Sequence, residues 1–305
     1  MKQHRGRLWQ LAGAVLLVLA GCNMPRGNEA TAATVDTGGG IPPRPDEPAS
    51  SPAGQIDFAG ELTQGGWIKG RASADVVKVT LDGVELSLAE DGEFFAAFDR
   101  DAGAGATLVA LGSNGEEVTR ALSIAPRAWN IEHINAARRP GGATEAFMKL
   151  REPELARINA ARAIDSGSDG WRQRFVWPVT GRISGRFGSQ RIYRGEPGSY
   201  HSGIDITTGT SGTTFVAPAD GVVILAAQTP FTLEGHLLMI DHGNGLNSAF
   251  LHCSQLLVKE GDRVAQGQPI GKIGATGRAT GPHLHWGMKW RDARLDPLLF
   301  TGPMK

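Results

Sequence analysis

A chain of 305 residues with two cysteines, two tyrosines and no net charge lacks the means for several common functions. Lysine plus arginine and aspartate plus glutamate balance at 31 each, so no overall field gathers nucleic acid, and no nucleic-acid partner is expected. Two cysteines, Cys22 and Cys253, cannot build a disulfide framework even where the compartment would allow one. The apolar run Leu11 to Ala20 is too short to cross a bilayer comfortably. No H-E-x-x-H occurs, which removes the helix that carries two metal-binding histidines and a glutamate base. Glycine, at 42 residues, is the abundance, and it leans toward a turn-rich, mainly β protein.

The N-terminal end reads as an export signal. Lys2, Arg5 and Arg7 precede the apolar run, which favours a cleaved signal over a retained membrane helix. The run ends in Leu19-Ala20-Gly21-Cys22, which resembles the bacterial lipobox. That resemblance implies cleavage before Cys22 and lipidation of Cys22 with several acyl chains, enough for stable membrane anchoring. Asn23 stands where the inner-membrane retention signal of enteric bacteria has aspartate, so the periplasmic face of the outer membrane is the expected location. Residues 23–54 are rich in Pro, Gly, Ala, Ser and Thr and have hardly a large apolar side chain. They read as a flexible tether with a reach of several tens of ångströms for ~30 residues.

Residues 55–126 change character. The runs Val76 to Leu81, Val84 to Leu88 and Phe94 to Phe98 are broken by Asp82-Gly83 and Asp91-Gly92, and Asp-Gly between β-branched and aromatic runs signals a hairpin. A small β-sandwich of immunoglobulin-like type is expected, with no cluster of chemistry-bearing side chains. It reads as a spacer or adaptor, with room for a wall-enzyme or division partner. Residues 127–174 read as a helical linker. Thr144-Glu145 starts one helix with Phe147 and Leu150 on a shared face, and Pro153 opens a second that carries Leu155, Ile158 and Ala161. His133 in this segment reads as structural. From residue 175 to 300, short strands return between turn glycines, which argues for an antiparallel barrel or sandwich.

The chemistry gathers in this last segment. His201-Ser202-Gly203-Ile204-Asp205 and His283-Leu284-His285 supply three candidate metal ligands and one spare imidazole. On a strand, residues two apart share a face, so His283 and His285 can look into one site. Two imidazoles and a carboxylate with an open fourth position are the ligand set of a catalytic rather than a structural zinc. Gly203 and the β-branched run after it place His201 and Asp205 on a loop entering a strand. His252 ends the apolar run Ser248 to Leu251, while His236 and His242 sit near turns. Cys253 next to His252 points to the opposite face of a strand and reads as buried and structural.

These blocks resemble the lysostaphin-type (M23, LytM-like) zinc metallopeptidases. The resemblance runs from Phe175 to Pro297 through Phe187-Gly188, His201 to Asp205, Ala217-Pro218-Ala219-Asp220-Gly221, Asp241-His242-Gly243-Asn244-Gly245, Leu251-His252, Val258 to Asp262 and Gly274 to His285. It implies one Zn²⁺ in the peptidase domain, held by His201, Asp205 and His285, with His252 and His283 as the catalytic pair. It implies hydrolysis of peptide bonds in peptidoglycan stems or cross-links, with peptidoglycan as the partner and zinc lowering the pKa of a water to ~7. Arg191 and Tyr193, just before the first ligand, are taken as lining the substrate groove. The alternative is a non-catalytic LytM-like lipoprotein that binds and activates a cell-wall amidase in division. Some such activators have lost zinc ligands, whereas here all three ligands and both auxiliary histidines are in place, which favours the enzyme.

Overall fold

A computed structural model describes residues 55–137 and 144–304. The expected signal peptide, Cys22 and the tether lie outside the described residues. Those from 55 onward belong to one compact unit.

The chain begins with β1 (Ile56–Gly60), β2 (Trp67–Ala72), β3 (Val76–Leu81), β4 (Val84–Glu85), β5 (Glu93–Ala97), β6 (Gly105–Gly112) and β7 (Glu117–Ser123). They form two antiparallel sheets of order β1-β2-β5 and β4-β3-β6-β7, the expected small sandwich. Asp82 and Gly83 both adopt positive φ (50° and 79°) and close the β3–β4 hairpin with Leu81 opposite Val84. That is the two-residue turn the Asp-Gly pair calls for. The fourth strand pairs with the third, whereas a constant-type immunoglobulin domain places it in the sheet of the first two.

Next come β8 (Ile131–Ile134) and α1 (Glu145–Arg162). Both correct the expected linker. Residues 131–134 are a strand, not helix, and pair in parallel with residues 190–193. The helix is continuous across Pro153 rather than broken there. Thr144 Oγ1 caps it by accepting the N–H of Phe147 (3.1 Å), with Glu145 in the first turn. A proline inside a helix forfeits one backbone bond and costs about 3 kcal/mol. Tertiary contacts offset it, because Arg151 is buried and makes two bonds to Glu234 (2.6 and 2.7 Å). Glu154 accepts from both the N–H and the hydroxyl of Thr232 (2.7 Å each).

The C-terminal half contains β9 (Arg182–Gly185), β10 (Gln190–Tyr193), β11 (Glu196–Pro197), β12 (Ile204–Thr207), β13 (Thr214–Val216), β14 (Gly221–Ala226), β15 (His236–Asp241) and β16 (Leu246–Cys253). After these come β17 (Gln255–Leu256), β18 (Arg263–Val264), β19 (Pro269–Lys272), β20 (Leu284–Trp290), β21 (Ala293–Leu295) and the short α2 (Leu298–Thr301). Its main sheet runs β18-β14-β15-β16-β20-β12-β9, with β21 beside β20. The sheet stays open, so of the two expected forms the sandwich is realised and the barrel is not. On one face Phe250 packs between Phe215 of the small β13-β19-β17 sheet (5.3 Å between ring centres) and Trp286 (6.5 Å). On the other, Leu237, Met239 and Ala249 pack under Ile158 and Ala161 of α1.

The first sandwich is no detached spacer. Its Phe95, fully buried, meets Trp171, Trp290 and Phe300 of the other half at 6.1–6.5 Å. Trp67 Nε1 donates to Leu299 O (3.1 Å), and Arg172 pairs with Asp91 and Glu93. One hydrophobic core therefore runs through both halves. Phe95→Ala is expected to cost about 3–5 kcal/mol, with both halves unfolding in one urea transition. Coincident fluorescence and circular-dichroism curves would support this, and two separated transitions would contradict it.

Candidate metal centre

Register builds the centre. β12 and β20 pair antiparallel with Asp205 directly opposite His285. On its other side Asp205 lies opposite Gly185 of β9. A Cβ at Gly185 would stand 2.3 Å from Asp205 Oδ2 and 3.0 Å from His201 Cε1, so only glycine leaves the carboxylate its place. His201 enters from the loop before β12, its N–H bonded to Ser189 O (2.8 Å) and its carbonyl accepting from Gly188 N–H (2.9 Å).

His201 Nδ1 lies 3.1 Å from Arg186 O, and since a carbonyl only accepts, the proton belongs on Nδ1 and Nε2 is left with its lone pair. That Nε2 lies 3.0 Å from Asp205 Oδ1 and 3.1 Å from His285 Nδ1, while His285 Nδ1 lies 2.9 Å from Asp205 Oδ1. Three donor atoms thus converge in a near-equilateral triangle. A tetrahedral zinc with bonds of 2.0–2.2 Å separates its ligand atoms by roughly 3.3 Å, within a few tenths of the triangle seen. The donor set, two imidazoles and one carboxylate, fits that metal.

Burial alone would raise the pKa of Asp205, but hydrogen bonds to His201 and His285 outweigh it and hold the carboxyl well below its usual range. For His201, burial lowers the pKa and the contacts with Asp205 more than restore it, leaving it raised. Burial keeps His285 below the usual imidazole value despite the same carboxylate.

The remaining two imidazoles sit beside this triangle. His283 precedes β20, with Nδ1 bonded to Gly281 O (2.8 Å) and Nε2 3.7 Å from Asp205 Oδ1. His252 Nδ1 bonds to Thr276 O (2.9 Å), which by the same rule leaves Nε2 unprotonated in the neutral ring. The rings of His252 and His283 are 4.9 Å apart, and His252 lies 6.3 Å from His285. His252 has φ of +64°, in the left-handed region that non-glycine residues seldom occupy. It falls where the β15–β16 register shifts, and its N–H is held by Glu234 O (2.8 Å). Burial, helped by the charges of His283 and His285, lowers its pKa. Nothing in the sequence signals this backbone, because the run Ser248 to Leu251 reads as an uninterrupted strand.

A family model described as peptidase family M23 matches residues 199–297, a span that contains all five of these side chains. This chain carries a peptidase family M23 domain. Its relatives include the peptidoglycan DD-endopeptidase ShyA of Vibrio cholerae, 35% identical over 46% of this chain and 33% of ShyA. The murein hydrolase activator NlpD of Salmonella typhimurium is 33% identical over 52% of this chain and 37% of NlpD. The chain thus spans about a third of the length of these curated relatives. A solved structure of a putative peptidase M23 from Pseudomonas aeruginosa superposes with a TM-score of 0.60 and 27% identity, covering 79% of this chain and 96% of that one.

Other expected residues fall elsewhere in and around the M23 domain. Arg191 and Tyr193 lie on β10, where Arg191 Nε is tied to Glu132 (2.7 Å) of the neighbouring β8, and among the described residues neither forms a hydrogen bond, ion pair or ring contact with the five side chains. Cys253 is fully buried, with its thiol pushed by burial to about 12, so it is neither a nucleophile nor a ligand. His133 is exposed and His236 bonds Ala227 O (3.0 Å). His242 is more than a turn residue. It is fully buried, with Nδ1 on Asp220 O and Nε2 on Ser248 Oγ at 2.8 Å each.

Burial lowers His242 to about 4 from 6.5. Between those values the unfolded chain binds the extra proton, so the native state is undisturbed above pH 6.5 and loses stability as pH falls toward 4. The loss attributable to this ring is on the order of 3 kcal/mol. Urea unfolding at pH 7 and pH 4 should show a smaller pH loss in His242→Asn than in the parent, and equal losses would contradict this account.

Proposed function

We propose that this chain is a zinc-dependent endopeptidase that hydrolyses peptide bonds in peptidoglycan stems or cross-links at the cell envelope. The observation that carries the reading is the convergence of His201 Nε2, Asp205 Oδ1 and His285 Nδ1, all within 4.8 Å, beside a second pair of imidazoles. On this reading residues 1–22 are a signal peptide, Cys22 is the lipid anchor to the periplasmic face of the outer membrane, and 23–54 are the tether. Residues 55–126, 127–174 and 175–300 are the sandwich, the connecting segment that holds β8 and α1, and the peptidase segment. On the same reading Arg191 and Tyr193 line the substrate groove.

His201, Asp205 and His285 would hold the zinc, which when bound supplies Lewis-acid chemistry that acidifies a water and polarises the scissile carbonyl. His252 accepts the proton of the attacking water at Nε2, since Nδ1–H is committed to Thr276 O and burial keeps the ring neutral near pH 7. His283, when protonated, donates Nδ1–H to Gly281 O and Nε2–H to the developing oxyanion. The hydrogen bonds at Nδ1 of both rings fix their orientation before substrate arrives.

A second reading draws on the likeness to NlpD, named for activating murein hydrolases. Here the domain would bind and activate a wall amidase without cutting. The complete set of five side chains favours the enzyme.

Protein lacking residues 1–22 is expected to release soluble fragments from isolated wall sacculi. A chelator or His285→Ala should abolish release, and His252→Ala should lower kcat by roughly 10²–10⁴ with zinc still bound. Release that persists without metal would sink the mechanism. No release by the zinc-loaded parent, together with stimulation of an amidase, would favour the activator.

A further inference from the structure

The loop that brings His201 to the triangle does not stand alone. Two backbone bonds, Gly188 N–H to His201 O (2.9 Å) and His201 N–H to Ser189 O (2.8 Å), hang it on residues 188–190. That segment is held in turn by Arg100, in the connection between β5 and β6 of the first sandwich. Arg100 Nη2 donates to Gly188 O (3.0 Å) and to Gln190 Oε1 (3.1 Å). Gln190 passes the constraint on, donating through Nε2 to Gly198 O (2.7 Å) just past the β10–β11 hairpin. The guanidinium also lies over the ring of Tyr200, 4.7 Å from its centre, and Tyr200 immediately precedes His201. One side chain therefore grips both segments whose pairing sets His201.

Arg100 is 6% exposed. Its carboxylate partner among the described residues, Asp101 (2.6 Å), is itself largely in solvent, and its Nε meets no acceptor. A cation buried with so little compensation is a poor source of stability. The planar fork of a guanidinium is suited instead to fixing acceptors in a set geometry while stacking on an aromatic face. Trp129 closes the other side, with its ring centre 5.3 Å from the guanidinium. A Cβ at Gly188 (φ +78°) would stand 2.1 Å from Trp129 Cε3, so glycine there lets the segment pack against Trp129 and still reach Arg100.

We propose that Arg100 is a positioning residue for the metal centre, fixing the backbone of His201 through residues 188–190 and Tyr200, so that the first sandwich takes part in holding zinc. Arg100 and residues 188–190 lie outside the matched span of residues 199–297, so this support belongs to the chain as a whole rather than to the M23 domain as such. The inference rests on the reading of His201 as a zinc ligand. Groups that orient a metal-binding imidazole without touching the metal typically contribute roughly 10–100-fold in metal affinity, which sets the scale of the effect.

Two measurements on the chain from residue 23 test it, and neither needs turnover. Zinc affinity is read by competition with a chromophoric chelator, and amide hydrogen exchange is read on the zinc-free protein. Arg100→Lys, which keeps the charge and loses the fork, should weaken zinc binding roughly ten-fold or more. In the same variant the amides of Gly188 and His201 should exchange roughly ten-fold faster, with that of Phe250 in the sheet core unchanged. Gln190→Ala, a milder cut in the same support, should shift both readouts in the same direction. Trp67→Phe, which removes the bond to Leu299 O between the halves, should leave both as in the parent. A parent-like result for Arg100→Lys in either measurement, or an equal loss of zinc affinity in Trp67→Phe, would overturn the positioning role. So would equally accelerated exchange at Phe250, the mark of general loosening. Hydrolysis of sacculi is scored separately. Its absence with these shifts intact counts against the peptidase reading alone, and its presence with Arg100→Lys at parent zinc affinity counts against the positioning role alone.

Discussion

Asp205 faces His285 across the β12–β20 pair, and the whole centre hangs on that register. Because side chains alternate, a slip of one residue would turn either side chain to the opposite face and replace it with an apolar neighbour, Ile204 or Trp286. Those neighbours are fully buried in the core, so the packing that stabilises the sheet is the same packing that fixes Asp205 and His285. Gly185 completes the constraint from the third strand by leaving space for the carboxylate. The loop carrying His201 then has only to close the triangle, which it does through backbone bonds to Gly188 and Ser189.

The two halves of the molecule support this arrangement from different sides. Phe95 and Trp67 of the first sandwich lock onto Trp171, Trp290 and Phe300. On the sheet face that bears His285, α1 is held by the buried Arg151–Glu234 pair. Glu234 also accepts the N–H of His252 through its main-chain carbonyl, so the clamp on α1 and the placement of that imidazole share one residue. Exposed ion pairs would add little to such a structure. This one is largely withdrawn from solvent and bidentate, where geometry is enforced.

Much of the centre is legible in the amino-acid sequence itself. Period-two spacing in His283-Leu284-His285, glycine after Ser202 and the absence of H-E-x-x-H all point to a strand-borne site. The Asp-Gly turn and the short strands from Gly221 to Lys289 are equally readable, because turn chemistry and alternation are local. What escapes is non-local. Pro153 reads as a helix boundary until Arg151 and Glu154 find partners on the 231–235 turn. Residues 131–134 become a strand only because β10 offers an edge. The left-handed backbone of His252 is imposed by a register shift between two strands and leaves no mark in composition. That the first sandwich shares a core with the other half is hidden for the same reason, since aromatic side chains do not announce whose core they fill.

On the proposed reading the four clustered histidines would divide into two that hold metal and two that move a proton and stabilise charge. Anomalous diffraction at the zinc edge, on crystals of the chain from residue 23 with one equivalent of zinc, tests that division most directly. A single peak bounded by His201 Nε2, Asp205 Oδ1 and His285 Nδ1, with His252 and His283 outside bonding distance, is the expected result. A peak that takes His252 or His283 as a ligand, or none within the triangle, would contradict it.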